Sequence, residues 1–204
     1  MFTLEKVVII FAGVTVIALT SFMYWKNRIA KKTNSPYFMP MLQQEWARRI
    51  EDMGEKPTLG SLWSDSIVFI PMYVGVLYIL ASHIQNSPKV ANGSFYFYVI
   101  ISCTVIAALA DWTENYFIHQ VTFKEATPTS FSIKYYACYI KWLSIGVAVL
   151  LISLGFLAER NAWVGIPGLV NAAILIYGTV SNHAHIQWGF GMMGLIILIT
   201  FPFL

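Results

Sequence analysis

Apolar residues run almost without interruption through six stretches of the chain, at residues 7–24, 66–84, 95–119, 136–157, 163–180 and 186–204, and polar residues gather between them. Each stretch is long enough to cross a bilayer, since about 20 helical residues at about 1.5 Å each match the hydrocarbon thickness. The pattern predicts an all-α polytopic integral membrane bundle of six transmembrane helices, with residues 1–204 forming a single membrane domain. The basic cluster Lys26, Arg28, Lys31 and Lys32 follows the first run, and no small-x-small cleavage site precedes it, so that run reads as a retained span and not as a signal peptide.

The polar intervals add detail. Pro36, Pro40 and Pro57 bracket residues 41–53, where Leu42, Trp46, Ile50 and Met53 recur at helical spacing opposite Gln43, Glu45, Arg48, Glu51 and Asp52. That pattern predicts a short amphipathic helix along the membrane surface, although a helix that binds a soluble partner would show the same periodicity. Ser64 or Asp65 is placed to cap the second span, with Pro71 in its first turns, where a missing backbone donor costs least. Asn86-Ser87-Pro88 and Asn92-Gly93 predict a tight turn, which makes spans two and three antiparallel neighbours. Phe95-Tyr96-Phe97-Tyr98 suits an interfacial aromatic belt. In span five, Asn171 is expected to hydrogen-bond between helices, and Gly189, Gly191 and Gly194 in span six allow close approach.

Composition narrows the class. Only 11% of the 204 residues are charged and 57% are apolar, whereas about a quarter of a soluble domain is charged. The longest polar interval, residues 26–65, is too short for a core of its own. With the N-terminus outside, ten of the thirteen Lys and Arg residues fall on the inner side, leaving Lys6, Lys89 and Arg160 outside. This is the asymmetry of the positive-inside rule. It predicts both termini on the non-cytoplasmic side of a bacterial inner membrane or another energy-transducing membrane. The net charge of +3 is then a topogenic signal, and nucleic acid is not an expected partner. Cys103 and Cys138 fall in or near spans and read as small core residues, not as a disulfide framework.

The chemistry concentrates in Ala110-Asp111-Trp112-Thr113-Glu114-Asn115-Tyr116, near the end of an apolar run. On a helix Asp111, Glu114 and Asn115 stand at i, i+3 and i+4 and share one face. Threading six spans brings Asp65, His119, Lys141, Asn182, His183 and His185 to similar depth, so a polar cluster from four helices is expected at the cytoplasmic ends. An ionisable group within a span costs on the order of 3 kcal/mol and usually turns inward to a partner; Lys141 is the natural partner for Asp111 or Glu114. Solvated helix ends would give the same residue pattern.

Asp111, Glu114 and His185 are the candidate catalytic groups. His183, His185, Glu114 and Asp111 are the candidate ligands for a divalent metal, although residues two apart on a helix point roughly 200° apart. Haem is not expected, because no two histidines face each other in mid-span. The stretch from Asp111 to Tyr116 resembles the Asp-Trp-Cys-Glu-x-Asn-Tyr signature of alkaline ceramidases, membrane amidases with a histidine-held zinc and a nearby calcium. The likeness covers six residues, ends a third span where the family's motif precedes the first, and lacks the accompanying His-x-x-x-His, so no residue role is carried over.

Catalytic motifs are otherwise absent and the loops are short. The expectation is therefore an accessory or lipid-binding subunit of a membrane complex, whose partners are membrane lipids and another membrane protein or a second copy of itself. A metal-dependent enzyme acting on a lipid headgroup or amide at the inner leaflet is the alternative. A transporter or channel would need polar residues carried through the midplane, where Asn171 stands nearly alone.

Overall fold

The computed structural model describes residues 55–124 and 127–181, together with Ile10, Gly13, Val14, Met192, Ile196 and Ile197. Apart from those six residues, the predicted first span, the surface helix at 41–53, the sixth span and the turn bearing Asn182, His183 and His185 lie outside the described residues. What is described is all-α: α1 (Glu55–Ser64), a π-helical turn (Asp65–Phe69), α2 (Ile70–Asn86), α3 (Gly93–Phe123), α4 (Pro128–Ala158) and α5 (Ala162–Val180). Among these residues four stretches are long and apolar enough to cross a membrane: Leu62–Asn86, Gly93–Phe123, Pro128–Ala158 and Ala162–Val180. They contain predicted spans two to five and mark the chain as an integral membrane protein.

Short connections force each helix against its predecessor. Between α2 and α3, Asn92 adopts a left-handed backbone with φ 60°. Gly93 follows it at a point where a Cβ would lie 2.8 Å from Gln85 O and 2.9 Å from Ile84 O, so only glycine fits. Between α4 and α5, Arg160 takes φ 65°, donating its N–H to Leu157 O while Asn161 donates to Phe156 O, both at 2.9 Å. This is the Schellman closure with arginine where glycine is usual.

α4 lies centrally, packing along α3 on one side and α5 on the other and also touching α2. The main core gathers Ile70, Leu77 and Ile84 of α2, Ile100 and Ala107 of α3, Trp142, Ile145 and Phe156 of α4, and Ala172 and Leu175 of α5. Gly168 lies directly on the Ser153 side chain, which lets α4 and α5 approach as small residues do in bilayers. A second, smaller core of Leu62, Ile118 and Val121, with Phe131 against it, sits toward the opposite ends of α3 and α4.

Two expectations are corrected. Neither Ser64 nor Asp65 caps a helix: Ser64 is itself helical and makes no side-chain cap, because the backbone is already helical from Glu55. Pro71 therefore lies within a continuous helical run and not at its start. Helices α3 and α4, each of 31 residues, also outrun the predicted spans 95–119 and 136–157. At about 46 Å each, they exceed the roughly 30 Å hydrocarbon layer. The apolar run marks what can sit in lipid, whereas the backbone stops where caps place the ends. Thr127 does this for α4, accepting the Ser130 N–H at 3.1 Å, with Pro128 in the first turn.

Candidate functional site

The polar cluster is built by three helices, and α3 supplies its core. Asp111 and Glu114 lie one turn apart on the buried face of α3, only 1% and 2% exposed. Lys141 of α4 extends its ammonium between them, with Nζ 2.9 Å from Asp111 Oδ1 and 2.5 Å from Glu114 Oε2. Asn115, the third residue of the same face, donates both amide hydrogens across to the turn before α2, to Asp65 Oδ2 at 2.7 Å and to Ser66 Oγ at 3.0 Å.

The π turn explains why that turn can be gripped. Pro71 has no N–H, so it cannot donate back to Ile67 O in the α ladder or to Ser66 O in the π ladder. Ile70 gives its N–H to Asp65 O, five residues back, and the Ser66 carbonyl is left without its usual backbone donor. Trp112 supplies the replacement: its Nε1–H donates to Ser66 O at 3.2 Å. Inserted side chains and π turns of this kind are common at functional positions. Trp112, which points away from the Asp111 face, thus fastens the same contact from outside.

Further groups complete the surroundings. The Tyr73 hydroxyl lies beside Asp111, and among the described residues neither it nor Asp111 Oδ2 has a hydrogen-bond partner of ordinary geometry. The buried Cys138 thiol lies beside Glu114, and Lys134, also buried, is close by on α4. The apolar pair Ile118 and Val121 closes the cluster on one side and the main core closes it on the other.

The groups are therefore inside the bundle, not at solvated helix ends. Along α3, Asp111 is about 27 Å from Gly93, and about 18 Å of helix continues beyond it to Phe123. His119, one turn past Asn115, places its ring against Phe123 at 5.1 Å between centroids and not among the carboxylates.

Of the residues anticipated from sequence, Asp65, Asp111, Glu114, Asn115 and Lys141 come together; His119 turns aside; Asn182, His183 and His185 lie outside the described residues. Tyr73, Ser66 and Cys138 were missed because each reads as an ordinary small or aromatic member of an apolar run. Proline at 71 was a usable signal for an irregular backbone, but not for its partner Trp112.

Asn171 departs from expectation. It is fully buried, yet among the described residues neither its amide nitrogen nor its amide oxygen has a hydrogen-bond partner, so the anticipated interhelical bond is not made among them. It borders a cavity of about 30 Å³ together with Ser153 and Tyr73, a space about the size of one water molecule.

At the far end of the bundle a second polar contact joins α2 to the turn after α4. His83 Nε2 lies 3.1 Å from Glu159 Oε1, and the imidazole stacks on Phe156 at 5.4 Å. The predicted spans end at residues 84 and 157, on the side that also holds Lys89 and Arg160, and that shared side was the available signal.

Three carboxyl groups, an ammonium, a carboxamide and a tyrosine hydroxyl can bind helices together and can exchange protons. Among the described residues no three His, Cys, Asp or Glu are grouped to hold a metal ion, and Lys141 Nζ occupies the point between Asp111 and Glu114 that such an ion would need. Comparisons with protein-family models, with curated proteins and with solved structures find no match for this chain.

Proposed function

We propose that this protein is a small accessory membrane subunit that acts through lipid and protein contacts, its buried charge network serving as the clasp that fixes three helices in register. The observation that carries this reading is the position of Lys141. Its ammonium lies between Asp111 and Glu114, so the two acids best placed for catalysis or metal binding are engaged in joining α3 to α4. Large side chains face outward along the bundle, among them Trp63, Trp112, Tyr136, Trp163 and Tyr177, and such surfaces suit lipid or a neighbouring subunit. In this proposal the chain spans the membrane six times with both termini outside, and the clasp lies in the cytoplasmic half.

Purification in a mild detergent followed by mass spectrometry tests the proposal. A stoichiometric companion, a second copy or tightly held lipid is the expected result; a monomer carrying none of these overturns it.

A second reading, movement of protons or small ions, is favoured by Asn171 alone. Its unpaired carboxamide and the small cavity beside it continue inward from Tyr73 and Asp111 toward the middle of the bundle. Proton flux in proteoliposomes that falls on Asn171→Leu or Asp111→Asn would support that reading, and flux equal to that of protein-free vesicles would remove it.

A further inference from the structure

The end of the bundle opposite the charge clasp carries an open groove of about 740 Å³ between the turn after α2 and the turn after α4. That volume lies within the range of pockets that hold small organic groups. One wall presents Lys89 and the other Arg160, with Trp163 and Ile79 among the remaining lining residues.

The charges in this groove do not balance internally. Its carboxylate, Glu159, is engaged by His83 at 3.1 Å. Lys89 and Arg160 are exposed and, among the described residues, neither side chain has an ionic or hydrogen-bond partner. The backbone at Arg160 is itself unusual. It holds φ 65°, where glycine would be free of strain and a non-glycine residue costs about 1 kcal/mol or more.

Position selects the class of anion. The groove lies where α2 and α4 end and α5 begins, beyond stretches long and apolar enough to cross a bilayer, and hence at headgroup depth. Trp163 is 81% exposed at its rim, as interfacial tryptophans are. Ile79 extends the same surface toward the hydrocarbon.

We infer that this groove binds the headgroup of an anionic glycerophospholipid, with the phosphate between Lys89 and Arg160 and the glycerol against Trp163. Arginine and lysine both recognise phosphate, arginine through paired N–H groups. The His83–Glu159 pair fixes the spacing of the two walls and leaves the two cations to the lipid. This site deepens the proposed lipid-binding role and rests on it.

The test uses the full-length protein in a mild detergent with an equimolar mixture of phosphatidylglycerol and phosphatidylethanolamine, read by native mass spectrometry. Wild type is expected to retain phosphatidylglycerol in preference to phosphatidylethanolamine. In Lys89→Gln/Arg160→Gln that retention should fall about tenfold, equivalent to about 1.4 kcal/mol, while Lys124→Gln, at the other end of α3, should leave it unchanged. Equal retention by the double variant overturns the groove assignment and leaves lipid binding in general standing. Retention of neither lipid by wild type overturns both. Binding of inorganic phosphate with no preference between the two lipids also overturns the assignment, because the groove would then serve a free anion.

Discussion

Lys141 is the residue on which the charge cluster depends, because it is the ammonium that touches both Asp111 and Glu114. Removing one member of a buried ionic group strands the others and costs about 3–5 kcal/mol, whereas replacing the whole group by neutral residues of similar size is often tolerated. Lys141→Met should therefore lower the midpoint of thermal unfolding in detergent by roughly 10 °C. Adding Asp111→Asn and Glu114→Gln to that variant should recover most of the loss. Lys124→Met, at an exposed position, supplies the comparison; a Lys141→Met protein as stable as Lys124→Met would show that no clasp exists. Asn171 predicts the opposite sign. Its amide is buried with neither atom partnered among the described residues, and an unmet amide costs about 1–3 kcal/mol. Asn171→Leu, apolar and of similar volume, should match or raise the wild-type midpoint. A loss of more than a few degrees would mean that the amide is satisfied in the membrane, as by a water in the adjacent cavity.

At the scale of elements, the π turn couples one proline to one tryptophan. Pro71→Ala restores an N–H, and the stretch from Asp65 to Phe69 can then return to the α ladder, in which Ile70 donates to Ser66 O. Trp112 would lose its reason to donate there. In wild type, Trp112→Phe should cost about 1 kcal/mol, the ordinary net worth of a hydrogen bond. In the Pro71→Ala background it should cost almost nothing, and the difference between the two measurements is the coupling. Equal costs in both backgrounds would separate the proline from the tryptophan. The same element shows how far the pattern of residues could be read. The i, i+3, i+4 spacing of Asp111, Glu114 and Asn115 identified the polar face of α3, and common depth brought in Lys141 and Asp65. Helix periodicity alone determines both. Tyr73 and Cys138 were hidden because a hydroxyl or thiol in an apolar run has the same pattern whether it touches carbon or a carboxylate. The response of the backbone to Pro71 was hidden too, since it depends on an indole from a helix distant in sequence.

For the whole molecule the lasting question is orientation, and α3 offers the means to decide it. Lys89 and Lys124 flank this 31-residue helix, both are exposed, and a helix about 46 Å long that crosses the bilayer places its two ends on opposite faces. The positive-inside distribution assigns Lys124 to the cytoplasm and Lys89 to the outside. Cysteine introduced at either position can be probed once Cys103 and Cys138, neither of them in a disulfide, are replaced by alanine, a small residue suited to their packed sites. In intact cells a membrane-impermeant maleimide should then label Lys89→Cys directly and label Lys124→Cys only after permeabilisation. The reverse pattern would invert the molecule and carry the proposed headgroup groove to the cytoplasmic leaflet. Labelling of both without permeabilisation would show that α3 does not cross the membrane. Only the first outcome keeps Lys89 and Arg160, unpaired among the described residues, on the outer face, where the positive-inside tendency disfavours cations and a bound anion would offset their charge.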